Sequence, residues 1–270
     1  MTRLDRLSAL LNGFTAHVEI PHAGVLTKPQ TFVATAGKHL DLHLILSGST
    51  RFNAPRITAD LHAPGALVAR TIDAYQLQPQ PEAQLLSARL SLSGPSGKLL
   101  LDAFSEPVLL KLDEGGDDLS HLMALAKVEL SHPRCGHGAL LARVGDIMLI
   151  TLLRHIIARP GIGNGLLSAL ADPRIAQTVV AMHEQPAMPW TLESMADTAG
   201  MSRTAFSTTF RERMGLTPGN YLSKLRLGIA EQSVTAGEGL KRAAQAAGYA
   251  SPAALSRALS RQREKAGPAR

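Results

Sequence analysis

The sequence predicts an α+β protein of two domains, a β-rich N-terminal part followed by helices to the end. Three observations predict it. Up to about residue 112, apolar residues come in short runs between Gly, Pro, Ser and Asn breaks, with no long helical period. From about residue 119 they recur at steps of three and four. The net charge of +6 lies wholly in the last third: residues 185–270 hold twelve Lys/Arg against six Asp/Glu, and residues 1–184 hold sixteen of each. A length of 270 residues suits this division.

Taken in order, the runs "FVATAG", "LDLHLILSG", "RITADLHAPGALVAR", "QLLSARLSLSG" and "EPVLLKLD" read as strands of a sandwich or barrel. The polar "DEGGDD" (113–118) ends this part, placing a β domain at 1–118. A helical pair follows in a connector, 119–165. Its helices are "LSHLMALAKVEL" (119–130) and "GALLARVGDIMLITLLRHIIAR" (138–159). In the second, Leu141, Val144, Met148, Thr151, Leu152 and His155 share one face. The Gly-rich "PGIGNG" (160–165) closes the connector, and an all-helical basic domain occupies 166–270.

Composition excludes several classes. An apolar fraction of 45% argues against bulk disorder. No run reaches the ~18 apolar residues of a membrane helix. The best stretch, "VGDIMLITLLRHII", is interrupted by Asp146 and Arg154. "MTRLDRLSALLNGF" makes a poor signal peptide. A single Cys135 rules out an internal disulfide framework. A cytoplasmic protein without membrane partners is expected. A basic segment beside a neutral one suits a polyanion binder attached to something else.

The basic segment writes one pattern twice. "TLESMADTAGMSRTAFSTTFRER" begins at Thr191 and "GLKRAAQAAGYASPAALSRALSR" at Gly239. Leu192, Met195, Ala196 and Ala199 form one apolar helical stripe, and Leu240, Ala243, Ala244 and Ala247 repeat it. Gly200 and Gly248 follow as helix terminators. Met201 and Tyr249 can fill the corner. Ser202 and Ser251 are N-cap candidates, and Pro252 sits at a first helical position. Phe206 and Phe210 correspond to Leu255 and Leu259 as inward residues. Helix, Gly turn and capped second helix make a helix-turn-helix.

The opposite face of each second helix then offers Arg203, Thr204, Ser207, Thr208 and Arg211 in the first copy. In the second it offers Ala253, Ser256, Arg257, Ser260 and Arg261. With the caps Ser202 and Ser251 these are the candidate DNA contacts. Small hydroxyls and arginines suit phosphate oxygens and base edges. Between the copies, Thr217 caps a helix that Pro218 opens, with Tyr221, Leu222, Leu225 and Ile229 as its stripe. Roughly 17 residues at ~1.5 Å each span about 25 Å. That suits two readers entering successive grooves ~34 Å apart once each unit adds its width. A duplicated bundle that binds a protein, as an adaptor would, is the alternative.

On these residues the chain resembles the AraC/XylS family of transcriptional regulators. "WTLESMADTAGMSRTAFSTTFRERMGLTPGNYLSKLRL" resembles the family's first unit and linker, and "AAGYASPAALSRALSR" its second. "ADPRIAQTVVAMHEQPAMPW" and "RCGHGALLARVGDIMLITLLRHII" resemble the subgroup with a cupin-like N-terminal domain. The resemblance implies a cupin-like barrel, a helical segment that mediates dimerisation, and double-stranded promoter or operator DNA as partner. It implies RNA polymerase and a small effector as further partners. Departures from the family are Leu255 and Leu259 in place of phenylalanines, Ala253 in place of a longer polar residue, and the ending "EKAGPAR". The first unit, with Arg203 and Arg211, is expected to dominate readout.

"LDLHLILSGSTRFNA" resembles the first cupin motif, with His43 at its His position. In the next motif Gly65-Ala66 replaces Gly-Asp. His39, His43 and His62 do not make a convergent ligand set, so no metal or other cofactor is expected. His43 is the candidate for lining an effector pocket. Cys135, in "HPRCGHG" beside Arg134, His132 and His137, is the candidate redox residue. The expected function is a sequence-specific DNA-binding regulator, not an enzyme, whose β domain senses an effector or an oxidant. A cupin-type metalloenzyme fused to a helical domain is the rival reading.

Overall fold

The computed structural model describes residues 5–35, 37–112, 118–159 and 165–266, and of 262–266 the backbone alone. The "PGIGNG" linker apart from Gly165, the "DEGGDD" break apart from Asp118, Ala36 of "FVATAG", the first four residues and 267–270 lie outside the described residues. The chain folds into two compact units. One holds Ala16–Leu92 and Phe104–Gly163; the other holds Met1–Thr15, Ser93–Ala103 and Asn164–Arg270.

The first unit is built on one seven-stranded sheet. Its strands are β1 (Thr15–Leu26), β2 (Gln30–Phe32), β3 (His39–Ala54), β4 (Ile57–His62), β5 (Gly65–Arg70), β6 (Tyr75–Ser93) and β7 (Val108–Lys111). The order is β1-β6-β3-β5-β7, with β2 on β6 and β4 on β3. Two strands are unusually long, and pairing shifts register between Ile45 and Ser47 and between Gly48 and Thr50. Gly48 has φ 74° there, and a Cβ would stand 2.3 Å from the Glu82 carbonyl oxygen. Such bulges bend a strand, letting β3 pair with β5 through its first half and with β4 through its second, while the start of β6 pairs with β2. Phe32, Ile45, Phe52, Leu67, Leu77 and Leu85 fill one buried cluster.

Helices α3 (Asp118–Ser131) and α4 (His137–Ala158) follow within the same unit. Of the predicted α4 face, Leu141, Val144, Met148, Thr151 and Leu152 are buried and His155 is half-buried. Gly145 permits the approach of α4 to the sheet, since a Cβ would meet Val18 at 2.6 Å.

Two sequence expectations in this part are corrected. "FVATAG" is not a strand beyond Phe32. Thr35 and Gly37 instead turn their N–H groups to the Thr71 carbonyl, and Val33 is 61% exposed. The segment after β6 is a helix, α2 (Pro95–Asp102). Gly94 at φ 107° turns the chain and Pro95 takes the first helical position, where its fixed φ and missing N–H cost nothing.

The second unit gathers α1 (Ser8–Leu11), α2, α5 (Leu166–Ala171), α6 (Pro173–Glu184), α7 (Leu192–Thr198), α8 (Arg203–Met214), α9 (Pro218–Thr235), α10 (Leu240–Ala246) and α11 (Pro252–Ala266). Asp172 caps α6 by accepting from the Arg174 and Ile175 amides. The Thr178 hydroxyl donates to the Met195 carbonyl at 2.9 Å, tying α6 to α7. Helix α2 packs on α9, where Pro95 leaves no room for a side chain at Gly228. Below that contact the Tyr221 hydroxyl lies 2.6 Å from His183 Nε2, and Ser96 Oγ lies 3.2 Å from His183 Nδ1. Burial pushes the His183 imidazole down to about 4 and the Tyr221 phenol up.

Candidate nucleic-acid interface

Each helix-turn-helix is positioned by local rules that the sequence carries. In the first, Thr191 and Ser194 form a reciprocal cap on α7. Gly200 turns the chain at φ 63°. Ser202 accepts from the Ala205 amide at 3.3 Å to start α8, and Gly215 ends it in the left-handed conformation. Phe206 and Phe210 are fully buried, 5.5 Å apart, with Tyr221 of α9 5.9 Å from Phe210. In the second, Gly248 turns at φ 73°. Ser251 accepts from the Ala254 amide at 3.2 Å, and Pro252 opens α11. Ala243, Ala244, Ala247 and Leu255 are buried, with Leu259 and Tyr249 half-covered against them.

With the inward faces filled, the predicted contact faces are outward. Arg203, Thr204, Thr208 and Arg211 are exposed on α8, with Ser207 half-buried between them. Ala253, Ser256, Arg257, Ser260 and Arg261 are exposed on α11. None of the four arginines forms an ion pair with a described residue. Among the described residues their charge therefore has no acidic partner. Helix α9 joins the two helix-turn-helix copies over 18 residues, capped by Thr217 on the Asn220 amide at 3.3 Å.

One expectation fails in both copies at the same place. Leu192 and Leu240 open the apolar stripes yet are 43% and 46% exposed. Each is the first residue of its helix, with no preceding turn to pack beside it. Leu192 instead lines an open notch of about 480 Å³ with Arg203, Thr204, Ser207 and Thr208.

In the β unit, His43 does not line an open pocket. It is fully buried, with Nδ1 2.7 Å from Ser87 Oγ and Nε2 2.7 Å from the Tyr75 hydroxyl. Tyr75 donates to Asp41 Oδ2 at 2.8 Å, and Arg89 clamps Asp41 through Nε at 2.7 Å and Nη2 at 2.9 Å. A phenol has one proton, already given to Asp41, so His43 must donate from Nε2 and accept from Ser87. Burial pushes the His43 imidazole down to about 4. Burial alone would raise the Asp41 carboxyl, but the Arg89 hydrogen bond leads a set of interactions that hold it below its usual value. Tyr75, Asp41, Ser87 and Arg89 escaped the sequence reading. Asp41 pairs with Arg89, and His43 with Ser87, across β3 and β6. The alternating polar residues of "LDLHL" and "LSARL" were the available signal. An open hollow of about 350 Å³, lined by Thr31, Asn53, Pro55, Tyr75 and Gln76, adjoins the network at Tyr75.

Cys135 is exposed in the α3–α4 loop. Two of its neighbours, Arg134 and His137, are held by Glu129. Arg134 Nη2 lies 3.3 Å and His137 Nδ1 3.1 Å from that carboxylate. Among the described residues, no helix is long and apolar enough to cross a membrane.

The architecture is that of a cupin-like sheet domain joined to a double helix-turn-helix domain. The cupin family model Cupin_6 matches residues 5–158, and the helix-turn-helix domain model HTH_18 matches 195–265. The chain is similar to an AraC-like transcription regulator of Streptomyces lividans, 30% identical over 66% of this chain and 59% of that one. It is also similar to one of Streptomyces antibioticus, 28% identical over 78% of this chain and 73% of that one. A third relative is the HTH-type transcriptional regulator AlkR of Acinetobacter baylyi, 36% identical over 44% of this chain and 40% of that one. This chain belongs to the cupin family by its N-terminal part, carries a helix-turn-helix domain, and is similar to AraC-like transcription regulators.

Proposed function

We propose that the chain is a sequence-specific regulator of transcription that binds double-stranded DNA through α8 and α11. One observation carries this: the outward faces of both helices hold exposed arginines and hydroxyls, and the arginines have no acidic partner among the described residues. Ser202 and Ser251 start these helices as caps and bring the following residues to the groove. Helix α9, ~27 Å long for its 18 residues, holds the readers apart. DNA titrations with the purified full chain test this. Affinity should fall steeply with salt, as counterions are released, and a selected operator should bind about a thousandfold or more above random DNA. Equal affinity for any sequence, at any salt, contradicts it.

In the same proposal the β domain senses a small effector and has no catalytic role. The hollow beside Tyr75 is the entry site, and His43 acts behind it. Strand β6, which carries Ser87 and Arg89, runs directly into Gly94 and α2. A shift of the network on ligand binding would thus reach the helix that packs on α9. Ligand must bind the two states unequally for this to regulate DNA binding. Self-association is assigned to α3 and α4, which leave Leu125, Val128 and Ile147 exposed. RNA polymerase is the onward partner, and Cys135 is a site where an oxidant would meet the connector. Ile147→Asp should shift the sedimenting species towards monomer; an unchanged species removes the dimer assignment.

A further inference from the structure

Leu192 and Leu240, first in their helices, are left in water in both copies. The rest of each stripe, Met195, Ala196 and Ala199 and then Ala243, Ala244 and Ala247, is at most 3% exposed. A leucine that opens each helix and stays in water costs solubility and contributes little burial. Leu192 stands in a notch whose other walls are Arg203, Thr204, Ser207 and Thr208. The Thr191 and Ser194 amides at the start of α7 are met by each other's side chains, and the walls of the notch supply side-chain chemistry. That chemistry is mixed: one isobutyl group, two threonines each offering a methyl and a hydroxyl, one serine hydroxyl and one guanidinium.

In the major groove thymine presents such a mixture, an O4 acceptor beside a C5-methyl group, and apolar contact with that methyl is how it is told from cytosine. We infer that Leu192 is a specificity-determining residue that seats a thymine methyl in the notch between α7 and α8. Thr204 and Thr208 add their own methyls and place hydroxyls by the base edge. Arg203 faces the same notch with a charge suited to phosphate. Leu240 is the equivalent residue of the second copy, where Pro252 and Ala253 correspond to Arg203 and Thr204, so the second unit offers an apolar contact with fewer polar neighbours. The inference rests on α8 being the reader, and its experiment separates the two.

An operator is first selected by the full chain from random double-stranded DNA. Each thymine of the half-site protected by the first unit is then replaced by deoxyuridine, which removes only the methyl. Affinity is measured by fluorescence anisotropy for the wild type, Leu192→Ala, and a variant carrying Arg203→Ala with Arg211→Ala. The wild type should lose about fourfold at one thymine, the equivalent of one buried methyl-sized group. Leu192→Ala should bind thymine and deoxyuridine operators alike, with an unchanged melting temperature. A retained penalty in Leu192→Ala, no penalty in the wild type, or a half-site without a preferred thymine overturns the inference. If the arginine variant also binds at full affinity, the reading of α8 fails with it. If the arginine variant is weakened while Leu192→Ala is silent, only the leucine assignment falls.

Discussion

The two helix-turn-helix units share a turn and a cap yet differ in what fills them. The first closes on Phe206, Phe210 and Tyr221 and begins α7 with a reciprocal Thr191–Ser194 cap. The second closes on alanines and Leu255, leaves Leu259 half-covered, and begins α10 at Gly239 with no side-chain cap. Position by position, Thr204, Thr208 and Arg211 face Ala253, Arg257 and Ser260 in the other copy, and Glu212 faces Arg261. The lesson is that topology and stability are written separately. Small residues at the right spacing suffice to fold the turn. Volume in the core and satisfied helix ends decide how firmly each reader is held. In the proposed function this makes the first unit the more firmly held reader and the second the more adjustable one.

The largest expected effect comes from breaking the heavier core. Phe210→Ala should cost about 3–5 kcal/mol, by lost transfer and a retained cavity. Leu259→Ala, already half in water, should cost about 1 kcal/mol. Urea unfolding of the full chain, followed by C-terminal probes, checks this; equal losses would erase the distinction.

Acid should act on the first unit through the His183 imidazole beside Tyr221. Its pKa is lowered to about 4 in the folded state against about 6.5 unfolded. The unfolded chain therefore takes up a proton first. The contribution is complete above pH 6.5 and is lost as pH falls towards 4, by up to about 3 kcal/mol. His183→Gln should flatten that part of the pH profile of the melting temperature. An unaltered slope would assign acid sensitivity elsewhere, with the fully buried His43 as the next candidate.

On DNA, Arg211→Ala should weaken operator binding by ~1–3 kcal/mol if it reads a base. Its counterpart Ser260→Ala should change it by less than about 1 kcal/mol, the scale of one net hydrogen bond. Equal effects in an anisotropy titration would make the units equivalent readers. The smallest effects are at the helix starts. Thr191→Ala should lose about 1 kcal/mol, while Gly239→Ser should gain a few tenths. Gly239 has φ −65° and ψ 149°, a conformation that a serine cap adopts. No gain in thermal melting would show that α10 is not limited by its cap.

Much of this was legible in the sequence, because helix ends and turns depend on neighbours in the chain. Ser202, Ser251, Thr217, Gly200 and Gly248 all act as their local patterns imply. What depends on distant partners was not legible. A helical period locates a face but not how much of it is covered, so Leu192 and Leu240 read as buried. His43 read as a pocket residue because its partners lie 32 and 44 residues away. Helix α2 was hidden inside a strand-like region, its only signals being Gly94 and Pro95. The outward faces of α8 and α11 were readable by elimination, since the inward faces are filled by phenylalanine and leucine.

The central claim, two unequal readers on one rod, is tested most directly by selecting bound sequences from a random double-stranded DNA library. The wild type is compared with Arg203→Ala plus Arg211→Ala, and with Arg257→Ala plus Arg261→Ala. The predicted result is a bipartite site, its halves about one helical turn apart. The first variant should erase the more sharply defined half and the second the weaker one. A single undivided motif, or one lost equally in both variants, would contradict it.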